Sequence, residues 1–113
     1  MTQYNIYYWS ASKVPDNKFI DIFLHGDVNF TDISSIYTKV ISIKHNGNLD
    51  DIFSLFNSED NPLSNPERQS FIRDNQLHTS MSVGDIIECK SEDSTEWFSV
   101  AGRGFKKIIT DKN

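Results

Sequence analysis

The sequence predicts an α+β fold: a mostly antiparallel sheet of about five strands with two helices packed on one face. Three observations carry that expectation. The chain opens on Tyr4–Trp9, dense in aromatic and β-branched residues. Two helix starts are marked by capping residues at Asn48 and Asn65. After Gly84, three short strand-like runs follow with turn formers between them, as in a meander. Such an order of elements indicates α+β, and 113 residues suit a single domain over 1–113.

In Tyr4–Trp9, the residues Tyr4, Ile6 and Tyr8 share one face, so a strand is expected. Ser10 to Lys18, with Pro15-Asp16-Asn17, reads as a loop. Phe19 to His25 fits two patterns. Ile20, Ile22 and Leu24 alternate as in a strand, while Phe19, Ile20, Phe23 and Leu24 fit a helix with Asp16 as its cap and Gly26 beyond its end. The alternation leans to strand. Gly26 to Ser35 carries turn formers and polar residues, and Ile36–Lys44 has the β-branched content of a second strand.

The first helix starts after Asn48, with Asp50 and Asp51 where negative charge favours the helix dipole. Leu49, Ile52, Phe53 and Phe56 form its apolar stripe. The second opens at Asn65-Pro66, offers Phe71 and Ile72 as contacts, and stops near Asn75. The final strands are expected at Ile86–Lys90, Glu96–Ala101 and Phe105–Ile109. In the first of them Ile87 and Cys89 share one face, with Ile86, Glu88 and Lys90 on the other.

Composition narrows the function classes. The one cysteine, Cys89, excludes an intramolecular disulfide, and its place on the apolar face of a strand makes it a small hydrophobe. The N-terminus shows no secretory signal, and no apolar run approaches the roughly 18 residues of a membrane span. A cytoplasmic protein without membrane attachment is the expectation. His25, His45 and His78 are scattered, so no metal site can be written and no cofactor is expected. A net charge of −5 disfavours phosphate backbones, so a nucleic-acid partner is not the first choice.

The stretch from His78 to Asp85 (His-Thr-Ser-Met-Ser-Val-Gly-Asp) is the most distinctive. Thr79, Ser80 and Ser82 beside His78 raise the idea of an activated hydroxyl, but the pattern is not a Gly-x-Ser-x-Gly elbow. Hydroxyls that satisfy loop backbone explain it more simply. Gly84 is expected at positive φ in a turn, and Asp85 is expected to accept from nearby N–H groups. Gly102-Arg103-Gly104 reads as a hairpin turn with Arg103 facing solvent; it lacks the length and the Lys-Ser/Thr ending of a phosphate-binding loop.

The second half resembles the YodL-like family of small bacterial and phage proteins. The residues that carry the resemblance are Tyr37–Ile41, then Leu49-Asp50-Asp51-Ile52-Phe53 with Asn57. The box Ser80-Met81-Ser82-Val83-Gly84-Asp85-Ile86-Ile87 and the late Gly104-Phe105 complete it. It covers about residues 37–109. The segment from Asn61 to Asn75 is longer than the pattern, and Arg103 stands where a small or acidic residue is expected. The resemblance implies an accessory protein, often from mobile elements, with no established catalytic residues.

The functional expectation is therefore a non-enzymatic protein, plausibly encoded by a phage or mobile element, that binds a host protein or a second copy of itself, a homodimer included. Its nominated surface is His78, Thr79, Ser80, Ser82 and Asp85 with Trp9, Trp97 and Arg103, framed by the turns at Gly84, Gly102 and Gly104. Two alternatives stand beside it: a nucleic-acid-associated module that stacks bases on exposed rings, and a small hydrolase or transferase using His78 with Ser80 or Ser82.

Overall fold

The computed structural model describes residues 1–110. Its sheet has five antiparallel strands in the order β2-β1-β3-β4-β5. They are β1 (Thr2–Trp9), β2 (Tyr37–His45), β3 (Ile86–Lys90), β4 (Thr95–Val100) and β5 (Phe105–Lys107). The helices are α1 (Phe19–His25), α2 (Ile33–Ile36), α3 (Leu49–Leu55) and α4 (Pro66–Asp74). The antiparallel α+β class is as the sequence predicts, with α3 and α4 as the two expected helices.

Alternation along β1 distributes side chains to two cores. Tyr4, Ile6 and Tyr8 join Ile87 of β3, Val100 of β4 and Val40 of β2 against Ile52 and Phe56 from α3 and its C-cap, with Leu63, Ile72 and Met81. On the opposite face Tyr7 and Trp9 meet Ile86, Trp97 and Tyr37, covered by Ile22 of α1 and by Ile33 and Ile36 of α2. β3 supplies both faces, with Ile86 and Ile87 each 0 % exposed.

Local chemistry explains the two expected helices. The Asn48 side chain accepts from the Asp51 N–H, and the Asp51 carboxylate accepts from the Asn48 N–H, a complete capping box. Asn65 caps α4 by accepting from the Arg68 N–H, with Pro66 at the first helical position. α4 also repairs an irregularity in the sheet. The β1–β2 register shifts between Ile6 and Tyr7, which face Ile41 and Lys39, so Val40 is the extra residue of a bulge. The Val40 carbonyl accepts from Arg68 Nη1 at 2.9 Å.

Two expectations are corrected. Phe19–His25 is a helix and not the strand that its alternation favours, and the stretch from Gly26 to Ser35 contains a 3-10 turn at Phe30–Asp32 leading into α2. No side chain caps α1, so the candidate cap Asp16 plays no such part. What ends α1 is Gly26, in left-handed geometry at φ +67°; a Cβ there would collide with the Val100 carbonyl oxygen. The Ser99 hydroxyl donates to the Gly26 carbonyl at 2.6 Å. α1 is thus set by its seat on β4. The last strand is also shorter than expected, ending at Lys107, with Ile108 buried and Ile109 exposed.

Candidate functional site: a ring line from a buried carboxylate to an exposed helix

The segment from His78 to Asp85 connects α4 to β3, and its backbone is held at nearly every step. The Thr79 carbonyl accepts from the Tyr8 hydroxyl at 3.1 Å and from Asn61 Nδ2 at 3.1 Å. The Met81 carbonyl accepts from Asn57 Nδ2. The Thr79 hydroxyl meets Gln69, and the Ser82 hydroxyl donates to the Ser80 carbonyl. The Gly84 N–H donates to the Val100 carbonyl, while its own carbonyl accepts from the Tyr37 hydroxyl at 2.5 Å. Hydroxyls that satisfy a loop are what the segment contains.

Gly84 sits at φ +93°, as its turn requires, and a Cβ there would lie 2.7 Å from Ile22 Cγ2 and 2.8 Å from the Ile22 carbonyl oxygen. The glycine thus does two things: it permits the turn and lets α1 lie directly on it.

Asp85 is 0 % exposed. One carboxylate oxygen accepts from the Trp9 N–H at 3.2 Å; the other accepts from the Ser82 N–H at 2.8 Å and faces His78 Nε2 at 2.7 Å. Burial pushes its carboxyl up to about 6, against the lowering pull of His78 and of the two N–H donors. Asp85 therefore joins the first strand to the last loop. It is withdrawn from the surface for which it was nominated, because no partner can reach it.

The imidazole of His78 lies between rings. It stacks on Tyr8 at 4.4 Å between centroids, with planes 5° apart, and meets Trp9 at 4.2 Å. Trp9 continues to Phe23 at 4.4 Å, and Phe23 to Phe19 at 4.3 Å in edge-to-face contact. The indole N–H of Trp9 donates to the Val83 carbonyl. A line of rings therefore runs from buried Asp85 and its half-buried partner His78 outward to α1. At its end Phe19, Ile20 and Leu24 are 53 %, 60 % and 64 % exposed.

The other nominated residues lie apart from this line. Trp97 is half-buried on β4, against Tyr7 and Phe30. Arg103 is exposed in the turn between β4 and β5, where Gly104 has φ +71° and Gly102 ordinary geometry. Cys89 is half-buried, and burial lifts its thiol to about 11, well away from thiolate chemistry at neutral pH. Sequence reasoning missed three participants: Asn61, which bonds the Phe56 and Thr79 carbonyls and the Leu63 N–H, Phe19 at the end of the ring line, and Ile20 beside it. The usable signal was the helical spacing of Phe19, Ile20, Phe23 and Leu24.

No helix among the described residues is long and apolar enough to cross a membrane. No family model matches the chain, and no solved structure matches it significantly. It is similar to "Uncharacterized protein R785" of Acanthamoeba polyphaga mimivirus, at 36 % identity over 111 residues that span 98 % of this chain and 96 % of the relative. Identity at that level along the whole length is shared descent of one domain, and the chain belongs to the same family as this mimivirus protein.

Proposed function

We propose that this protein is a non-enzymatic accessory protein, encoded by a virus or mobile element, that works by binding a protein partner through α1. One observation carries the reading: Phe19, Ile20 and Leu24 stand exposed together on one seven-residue helix whose only buried side chain is Ile22. Apolar side chains grouped in this way on a surface mark an interaction site more often than singly scattered ones do. Phe23, Trp9 and His78 stiffen the helix from below, so the exposed groups are presented in a fixed arrangement, and little side-chain entropy remains to be lost beneath the contact. The viral relative supports the viral origin in this reading, and the Ser-x-Ser-Val-Gly-Asp box by which the chain resembles YodL-like proteins fits an accessory role.

The test is a paired comparison of the wild type with an Ile20→Ser/Leu24→Ser variant. Sedimentation over a range of concentrations reads self-association, and quantitative capture from a host lysate reads other partners. The expected result is loss of a defined complex in the variant at unchanged folding. Complexes retained equally by both proteins would exclude α1 as the contact.

A further inference from the structure

A second feature lies on the same sheet face but away from α1. Tyr7, Phe30 and Trp97 are all half-buried, and together with Ile33 and Tyr37 they line an open groove of about 510 Å³ between α2 and the sheet. The rings are tilted to one another and not stacked flat. Tyr7 and Trp97 lie 5.4 Å apart at 45°, and Phe30 meets Trp97 at 5.4 Å and 77°. Such tilted and edge-to-face contacts hold the three rings in a fixed arrangement along the groove.

Beside this groove stands an anion without a counter-charge. Glu88 is 8 % exposed and is the cross-strand neighbour of both Asn5 and Trp97. Its Oε1 accepts from Asn5 Nδ2 at 2.9 Å and from the Tyr7 hydroxyl at 3.3 Å. Among the described residues no hydrogen bond reaches Oε2, and no ion pair includes Glu88. Lys39 and Lys44 on the neighbouring edge strand are exposed and pair with neither oxygen. Among the described residues no fully enclosed side-chain oxygen lacks a partner, so Oε2 is open to solvent. The phenol of Tyr7 is raised to about 12 by its burial and then by the neighbouring Glu88.

We propose that the Tyr7–Phe30–Trp97 groove, with Glu88 at its side, is a binding site for an organic cation bearing a methylated ammonium head. Tilted aromatic faces attract such a head through their quadrupoles, and its methyl groups lose little hydration on entering an apolar groove. The Glu88 carboxylate supplies the charge complement, and it does so through an oxygen that the fold has left without a donor. Inorganic cations are disfavoured, because the walls offer rings where a hard ion needs several oxygens. This site is independent of the α1 surface.

The experiment is titration of the ¹⁵N-labelled protein with choline and, in parallel, with its neutral isostere 3,3-dimethylbutan-1-ol, following the Trp97 indole resonance. A trimethyllysine tripeptide forms a third arm that separates a side-chain source from a free small cation. The expected result is a saturable shift at Trp97 with choline or the tripeptide, and binding of the neutral isostere weaker by roughly fivefold or more. Glu88→Gln keeps an acceptor for Asn5 and Tyr7 and removes the charge, so it should weaken cation binding while leaving the isostere unchanged. Phe30→Leu should weaken it as well. Equal affinity for cation and isostere, or no shift at Trp97, overturns the proposal. Identical cation affinity in wild type and Glu88→Gln, in a variant with wild-type melting, overturns the role of the carboxylate.

Discussion

The two faces of one sheet are finished in different ways. Against α3 and α4 the contact is closed: Ile6, Tyr8, Ile52, Phe56 and Leu63 are all 0 % exposed, and Arg68 and Asn61 occupy the carbonyls that irregular backbone leaves over. Against α1 and α2, Ile22, Ile36 and Ile86 sink fully, while Tyr7, Trp9, Phe23, Phe30 and Trp97 keep part of their surface in solvent. Both faces are rich in apolar groups. Capping separates them, since α3 and α4 carry side-chain caps while α1 and the single-turn α2 carry none. The lesson is a division of labour, with cohesion concentrated on one side and recognition offered on the other.

That contrast can be broken most severely at Phe56. Phe56→Ala should lower stability by about 3–5 kcal/mol in denaturant unfolding, because the ring is wholly enclosed. A loss no larger than that of an exposed truncation on α1 would erase the distinction between the faces. Next in size is Asp85→Asn, expected to cost about 1–3 kcal/mol near neutral pH, since the amide cannot accept from Trp9, Ser82 and His78 together.

The same residue predicts a pH signature. A carboxyl whose folded value is raised to about 6 binds its proton more tightly folded than unfolded. Its contribution is fully present below the ordinary carboxylate range and is lost as pH rises through about 6. Wild-type stability should thus decline from about pH 4 to about pH 6 relative to Asp85→Asn and run parallel above that window. A constant difference across the range would remove the proton assigned to Asp85.

Gly84→Ala should cost more than about 1 kcal/mol, through positive φ and through collision with Ile22, so it couples the loop to α1. An unchanged melting temperature would mean that α1 does not rest on that turn. The smallest stability effect belongs to Leu24→Ser, within about 0.5 kcal/mol, as for other substitutions of exposed groups. A large destabilisation there would show that Leu24 belongs to the fold and not to a docking surface.

How far the sequence was legible follows the same division. Asn48 and Asn65 announce their helices because a cap is a contact three residues long. The meander after Gly84 was readable from alternation, and Ile87 and Cys89 do share the face they were assigned. α1 was readable only as one of two patterns, since the seat of Gly26 on Val100 and Ser99, which favours the helix, lies more than 70 residues away in sequence. The candidate site was legible in composition but not in depth. Asp85 looked like a turn residue because its partner at Trp9 is 76 positions distant, and nothing local indicates that its carboxylate is sealed from water. Glu88 was placed on the polar side of its strand, as alternation dictates, though that side is itself half covered.

The position of β1 has a kinetic consequence. β1 precedes both of its partners in sequence, pairing with β2 on one edge and with β3 on the other, the latter completed only when Lys90 has been made. Until then its second edge and the donors of Trp9 stay unmatched. Pairings of such sequence separation slow folding relative to local contacts, because loop closure must come first. A nascent chain halted before Ile86 would therefore carry an open, aromatic-rich strand, and synthesis of Ile86–Lys90 acts as the step that locks β1 into the sheet.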